Sequence, residues 1–161
     1  MNEPIVLAFS GGLDTSFCVP WLKERYGRPV VTVTVDTGGL DDAAREALAA
    51  RATSLGAQRH VLVDARRAFF DDTLRFLVMG NVLRGHLYPL CVGAERTLQA
   101  REVARVAREA GAWAVAHGST AAGNDQVRFE AALRVLAPGM ELLAPIRDEG
   151  LSREAETAWL T

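Results

Sequence analysis

Residues 7–17 read LAFSGGLDTSF. An apolar run ends at Ser10-Gly11-Gly12; an acid, Asp14, follows, and then two hydroxyls, Thr15 and Ser16. Glycine lets backbone come close to a ligand and takes positive φ without strain. A helix starting here offers unpaired N–H groups and a partial positive charge. With the hydroxyls of Ser10, Thr15 and Ser16, that makes a cradle for phosphate. Asp14 would repel bare phosphate. Its place makes sense beside Mg²⁺ bound to phosphate oxygens, because Mg²⁺ prefers one or two carboxylates plus phosphate and water. The competing reading is a plain strand–turn–helix corner, and two glycines alone leave the choice open. The pattern is neither a Walker loop nor a G-x-G-x-x-G dinucleotide turn.

The elements that must position these residues alternate between short apolar runs and helical periods. Ile5 to Phe9 and the β-branched RPVVTVTVD, 28–36, read as strands, followed by RHVLVDA, AWAVAHGS and MELLAPI. Helices are expected over Leu13 to Tyr26, from Asp41 or Asp42 to about Leu55, over 67–78 with Phe69, Phe70, Leu74 and Leu77 inward, over 97–109, and near 126–136. Residues 80–96 are the least regular part, and Ser152 can cap a last helix. Apolar strands alternating with helices mean a parallel sheet covered on both faces. Such sheets bind ligands at the carboxyl ends of their strands. That rim gathers three segments rich in Gly, Asp, Asn, Ser or Thr: 10–16, 36–40 and 117–125.

Composition bounds the rest. The 161 residues suffice for one domain, and 49% hydrophobic with 24% charged residues is ordinary for a globular protein. A net charge of −2 provides no general basic field for nucleic acid or an anionic membrane. Of the 18 basic residues only Lys23 is a lysine, so a catalytic lysine has almost nowhere to sit. Cys18 and Cys91 form neither a disulfide framework nor a zinc site, and His60 and His86 show no metal spacing. No secretory leader pattern or long apolar span is visible, and the expectation is a cytoplasmic protein.

SGGLDTS resembles the pyrophosphate-binding signature of the ATP-pyrophosphatase, or PP-loop, superfamily. The longer AFSGGLDTSF…WLKE, with HLYPL at 86–90, AHGSTAAGNDQVRFE at 116–130 and LLAPIRDEGLSREAE beyond, resembles argininosuccinate synthase. The resemblance covers nearly the whole chain. It implies a three-layer α/β/α fold with a five-stranded parallel sheet of order 3-2-1-4-5, and the cofactors ATP and Mg²⁺. Those enzymes cleave ATP between the α and β phosphates, adenylating citrulline before aspartate displaces AMP. By similarity Ala8, Phe9, Ser10, Gly11, Gly12, Leu13, Asp14, Thr15 and Ser16 hold ATP, with Asp14 acting through the metal. Val35 and Asp36 border the adenosine, and Gly118 also borders ATP. Thr120, Asn124 and Asp125 match aspartate-binding positions; Tyr88, Asn124 and Arg128 match positions that hold citrulline. Asp14 and Asp125 are the catalytic candidates. Read without the resemblance, Asn124 and Asp125 could merely cap a helix. Arg128 could be a solvated helix residue, Tyr88 an ordinary half-buried tyrosine, and His117 a structural hydrogen-bonding residue.

The sequence also departs from the family pattern. Cys91-Val92-Gly93 replaces the usual Gly-Thr-Ser, removing two hydroxyls near the amino-acid substrates. Ala121-Ala122 replaces Gly-Lys, and Thr97 stands for Pro after Arg96. The family's carboxyl-terminal domain, which completes the citrulline site and supplies an oligomerising tail, is expected to be absent, leaving 1–161 as a single nucleotide-binding domain. The expected partners are ATP and a small amino-acid-like substrate, with a homo-oligomer or a partner chain replacing the missing half. The expected function is ATP-dependent, AMP-forming adenylation of an unidentified acceptor. The alternatives are true argininosuccinate synthesis, or a non-catalytic nucleotide-binding or regulatory partner. A tRNA-modifying role finds no basic charge excess or catalytic cysteine pair to support it.

Overall fold

The computed structural model describes residues 3–120 and 124–160. Its elements run β1 (Ile5–Ala8), α1 (Leu13–Tyr26), β2 (Val30–Asp36), α2 (Asp42–Ser54), β3 (Arg59–Asp64), α3 (Arg66–Phe69), a π turn (Phe70–Leu74) and α4 (Arg75–Met79). There follow β4 (Leu83–Arg84), β5 (Tyr88–Pro89), α5 (Cys91–Glu109), β6 (Ala114–His117), α6 (Asn124–Leu136), β7 (Glu141–Leu143), α7 (Pro145–Asp148) and α8 (Arg153–Leu160).

Five strands form one sheet in the order β3-β2-β1-β6-β7, every pair parallel. Counting those strands alone gives 3-2-1-4-5, the order expected. In the centre Ile5 pairs with Val30 on one side and Ala114 on the other, so Ala8 lies level with Val33 and with His117, and β2 runs on to Asp36. The order reverses across β1, between β2 and β6. That switch point is where an open α/β sheet leaves a crevice.

Alternation along the strands feeds two cores. Ile5 and Leu7 pack with Phe17, Cys18 and Leu22 of α1. Val6, Val31 and Val33 pack with Val103, Ala104 and Ala107 of α5 and with Phe129 and Leu133 of α6. Both faces are therefore dry, and the central strands read apolar along their length. Asp41 caps α2, its side chain accepting from the Ala44 N–H at 2.7 Å.

Two sequence expectations need correction. The helix over 67–78 is interrupted by the π turn, whose wider winding inserts a residue and rotates the segment after it. Phe69 is buried, but Phe70, expected inward, is 51% exposed. Helix α5 starts at Cys91, not at 97. Its first turns, Cys91-Val92-Gly93-Ala94-Glu95-Arg96, show no helical period because Val92, Gly93, Glu95 and Arg96 face a cleft instead of a core. Residues 83–89 form a small antiparallel hairpin, Leu83 against Pro89 and Arg84 against Tyr88.

Candidate functional site

The turn from β1 into α1 is built for closeness. Gly11 sits at φ +75°, and a Cβ there would meet Leu48 Cδ2 of α2 at 2.4 Å. Only glycine meets both conditions. Gly12 is the N-cap of α1 and makes no side-chain capping bond. The first intrahelical bond runs from the Ser16 N–H to the Gly12 carbonyl at 2.9 Å. The N–H groups of Leu13, Asp14 and Thr15 precede it, as orphan donors of an open helix end. Ser10 and Thr15 stand beside them with hydroxyl oxygens 3.2 Å apart, and the Ser10 N–H donates to Thr15 Oγ1 at 3.3 Å. These local bonds are long, so both hydroxyls can turn to an anion.

This end of α1 opens into a cleft of about 1350 Å³ at the carboxyl rim of the sheet. Ala8, Phe9, Ser10, Gly12, Leu13, Asp14 and Thr15 line one end. Val35, Asp36, Thr37 and Gly38 line the side at β2, and Gly118, Ser119 and Thr120 the side at β6. Tyr88 of the hairpin, Val92 and Gly93 of α5, and Asn124 and Arg128 of α6 close the far side. The three polar rim segments expected from the sequence thus converge on one cavity. The volume exceeds the ~300–1,000 Å³ usual for one small ligand.

Each wall is held by identifiable bonds. The Asp36 carboxylate is buried, receiving Arg45 Nη2 at 2.8 Å and the Gly38 N–H at 2.9 Å. It shapes the 36–38 turn. Thr37 Oγ1 donates to Glu95 Oε1, which also receives Gln99 Nε2 at 2.9 Å, tying β2's loop to α5. Gly118 abuts the start of α1: a Cβ there would lie 3.0 Å from Thr15 Cγ2 and 3.1 Å from its backbone nitrogen. His117 is buried at the end of β6, and its Nδ1 accepts the Ser119 N–H at 3.3 Å. That bond places the ring proton on Nε2, 3.3 Å from Glu130 Oε1 but not aligned as a hydrogen bond. Burial pushes the His117 pKa down, opposing the nearby Glu130 charge. A neutral ring holding a loop is a structural arrangement.

Two of the sequence candidates lie off the cleft lining. Gly11 turns behind the loop, and Ser16 is fully buried under it. Ser16 Oγ receives Arg51 Nε of α2 at 2.8 Å and lies 3.5 Å from the Gly11 carbonyl. Both brace the turn from below. The Asp125 side chain, Ala121 and Ala122 lie outside the described residues. Thr37 lies in the 36–40 segment expected on the rim but was not singled out, and sequence reading missed Glu95, Gln99 and Arg153, all on the lining. Glu95 and Gln99 sit where helix polarity looks like solvent exposure, and Arg153 comes from a distant helix.

The family model of the arginosuccinate synthase N-terminal HUP domain matches residues 4–161. The chain belongs to the argininosuccinate synthase family. Argininosuccinate synthases of Pyrobaculum aerophilum and Saccharolobus solfataricus are 45% and 44% identical over 152 residues, spanning 94% of this chain and 38% of theirs. That of Dehalococcoides mccartyi is 41% identical over 154 residues, 96% of this chain and 37% of its own. The chain therefore spans well under half the length of these argininosuccinate synthase relatives. Among solved structures, a predicted subunit of a tRNA methyltransferase from Methanocaldococcus jannaschii matches with TM-score 0.65 at 15% identity, over 98% of this chain and 73% of that one. The NH3-dependent NAD synthetase of Campylobacter jejuni matches with TM-score 0.56 at 12% identity, over 74% and 48%. These two likenesses concern the fold alone. Among the described residues no helix is long and apolar enough to cross a membrane.

Proposed function

We propose that this chain binds ATP with Mg²⁺ in the rim cleft and transfers AMP to an acceptor oxygen, releasing pyrophosphate. The observation that carries the reading is the open N-terminus of α1, aimed into a cleft beside Ser10, Gly12, Asp14 and Thr15. The acceptor oxygen would attack the α-phosphorus. The bond from that phosphorus to the bridging oxygen would break, and its electron pair would leave with pyrophosphate. Orphan N–H donors and hydroxyls placed where the leaving charge grows lower the barrier without a general base.

Mg²⁺ fits the residues present. Among the described residues no group of three or more His, Cys, Asp or Glu side chains gathers to cage a metal. Asp14 is a single half-buried carboxylate on the cleft lining. One carboxylate with substrate oxygens and water is the coordination Mg²⁺ favours. The metal would neutralise the phosphate chain. The adenosine would lie along Val35, in the turn that Asp36 orders, with Gly118 permitting close approach. Tyr88, Thr120, Asn124, Asp125 and Arg128 would receive a small amino-acid-like acceptor, Asp125 serving as the second catalytic candidate. In this reading residues 1–161 act as one nucleotide-binding domain.

Synthesis of argininosuccinate from citrulline, aspartate and ATP is the second reading. A cleft larger than one nucleotide needs, and 41–45% identity to named synthases, favour it. Calorimetry with ATP and Mg²⁺, and pyrophosphate release in the same samples with and without citrulline and aspartate, separates the cases. Release only with both amino acids selects the second reading. Release with another acceptor supports the first. Binding without release in any mixture leaves a nucleotide-binding module, and no binding returns the turn to a structural corner.

A further inference from the structure

The loop that would hold pyrophosphate contains no cation. Ser10 to Ser16 carries only Asp14 as a charge, and Lys23 lies farther along α1 with its amine near Gly56. A leaving pyrophosphate gathers negative charge, and a clamp of Arg, Lys or metal is the usual response. Among the described residues three arginines line the cleft: Arg96, Arg128 and Arg153. Arg96 donates to Gln99 Oε1 at 2.7 Å, and Arg128 lies against Gly93, with its guanidinium carbon 3.5 Å from where a Cβ would stand. Both belong to the α5–α6 side, across from the loop.

Arg153 belongs to α8, which packs on α1. The Trp159 ring meets Phe17 edge-on at 5.2 Å, and Leu151 and Leu160 join the same core as α1. Glu156 is 1% exposed although it is charged in type, and its carboxyl meets that of Asp14. Ser152 Oγ caps the helix by accepting the Ala155 N–H at 3.3 Å. These anchors bring the first residue of α8 to the Asp14 end of the cleft. Among the described residues Arg153 forms no ion pair, whereas Arg45, Arg66, Arg67, Arg101, Arg105 and Arg147 each hold a carboxylate. Its charge is felt by Glu154 and Glu156 of the same helix, but neither carboxylate holds it in an ion pair.

We propose that Arg153 binds the β- and γ-phosphates of ATP, and then the departing pyrophosphate, as the cation the loop itself lacks. The proposal rests on the ATP reading above. It makes α8 part of the nucleotide site, although 136 residues of chain lie between Arg153 and that loop's Ser16. Guanidinium pairs planar oxygens bidentately, so charge and geometry both contribute.

The test compares wild type, Arg153→Ala and Arg153→Lys by calorimetry with three probes: ATP plus Mg²⁺, pyrophosphate plus Mg²⁺, and AMP. Glu154→Gln, an exposed change on the same helix, is the control. Urea unfolding of each variant checks the fold. The expected result is that Arg153→Ala weakens ATP and pyrophosphate about tenfold or more, leaves AMP within about twofold, and that Lys restores part of the loss. Equal binding of pyrophosphate by wild type and Arg153→Ala, or an equal loss for AMP and pyrophosphate, overturns the assignment. Failure of wild type to bind any probe overturns the ATP reading instead.

Discussion

Asp14 and Gly11 show how differently two neighbouring residues serve one turn. Asp14 contributes charge to the cleft, while Gly11 contributes only the absence of a side chain. Asp14→Asn keeps size and hydrogen bonding but loses the charge that a metal needs. It is expected to leave the unfolding curve nearly unchanged and to weaken Mg²⁺-dependent ATP binding about tenfold or more, read by calorimetry with and without Mg²⁺. Mg²⁺-dependent binding equal to wild type would remove Asp14 from the site. Gly11→Ala must take φ +75° and push Leu48 aside. It is expected to cost about 1–3 kcal/mol in urea unfolding and to lose anion binding with it. At this scale the sequence showed a turn of glycines, an acid and hydroxyls that fits a phosphate cradle or a plain corner, and the family resemblance favoured the first. What it hid was direction. Ser10, Thr15 and Ser16 look equivalent as text, but Ser16 faces down onto Arg51 because helix periodicity turns it under the loop.

At the scale of elements, the loop after β6 depends on a buried imidazole. His117 faces Glu130 of α6 and Arg147 and Asp148 of α7, and burial holds its pKa below the ordinary 6.5. His60, against Phe9, is shifted the same way by burial. A histidine depressed in the fold is protonated first in the unfolded chain. Its stabilising contribution is therefore complete above about pH 6.5 and is lost as pH falls toward the folded value. Urea midpoints are expected to drop between pH 7.5 and pH 5.5, with a shallower slope in His117→Gln, where only His60 remains of the pair. A slope unchanged by that substitution would remove His117 from the acid response. Asp41→Ala, removing the cap of α2, is expected to cost about 0.5–2 kcal/mol and to loosen the Leu48–Arg51 support of the loop. Elements with dry faces were read correctly from periodicity. The π turn and the early start of α5 were not, since a wider winding or a first turn that faces a cleft leaves the hydrophobic pattern ambiguous.

For the whole molecule, the cleft joins β1, β2, β6, α5, α6 and α8, so a ligand there bridges most of the fold. ATP with Mg²⁺ at a hundred times its dissociation constant is expected to raise stability by about 2.7 kcal/mol, or roughly 5–10 °C in a thermal melt. AMP at equal saturation should do the same for the wild type, and a melt unmoved by either nucleotide would count against binding. The amino-acid order by itself determined the parallel sheet, its strand order through the family resemblance, the loop carrying Asp14, and the three polar segments on the rim. Those features come from local rules: apolar runs buried on both faces, glycine at positive φ, and helices that begin where caps or open N–H groups stand. Tertiary structure alone decided which polar residues face the cleft and which brace it. It sent Ser16 and Gly11 off the cleft lining, set Glu95 against both Thr37 and Gln99, brought Arg153 to the cleft, and placed Glu156 beside Asp14. The reason is that such contacts depend on the packing of α2, α5 and α8 onto the sheet, and no spacing along the chain encodes the distance between residues so far apart.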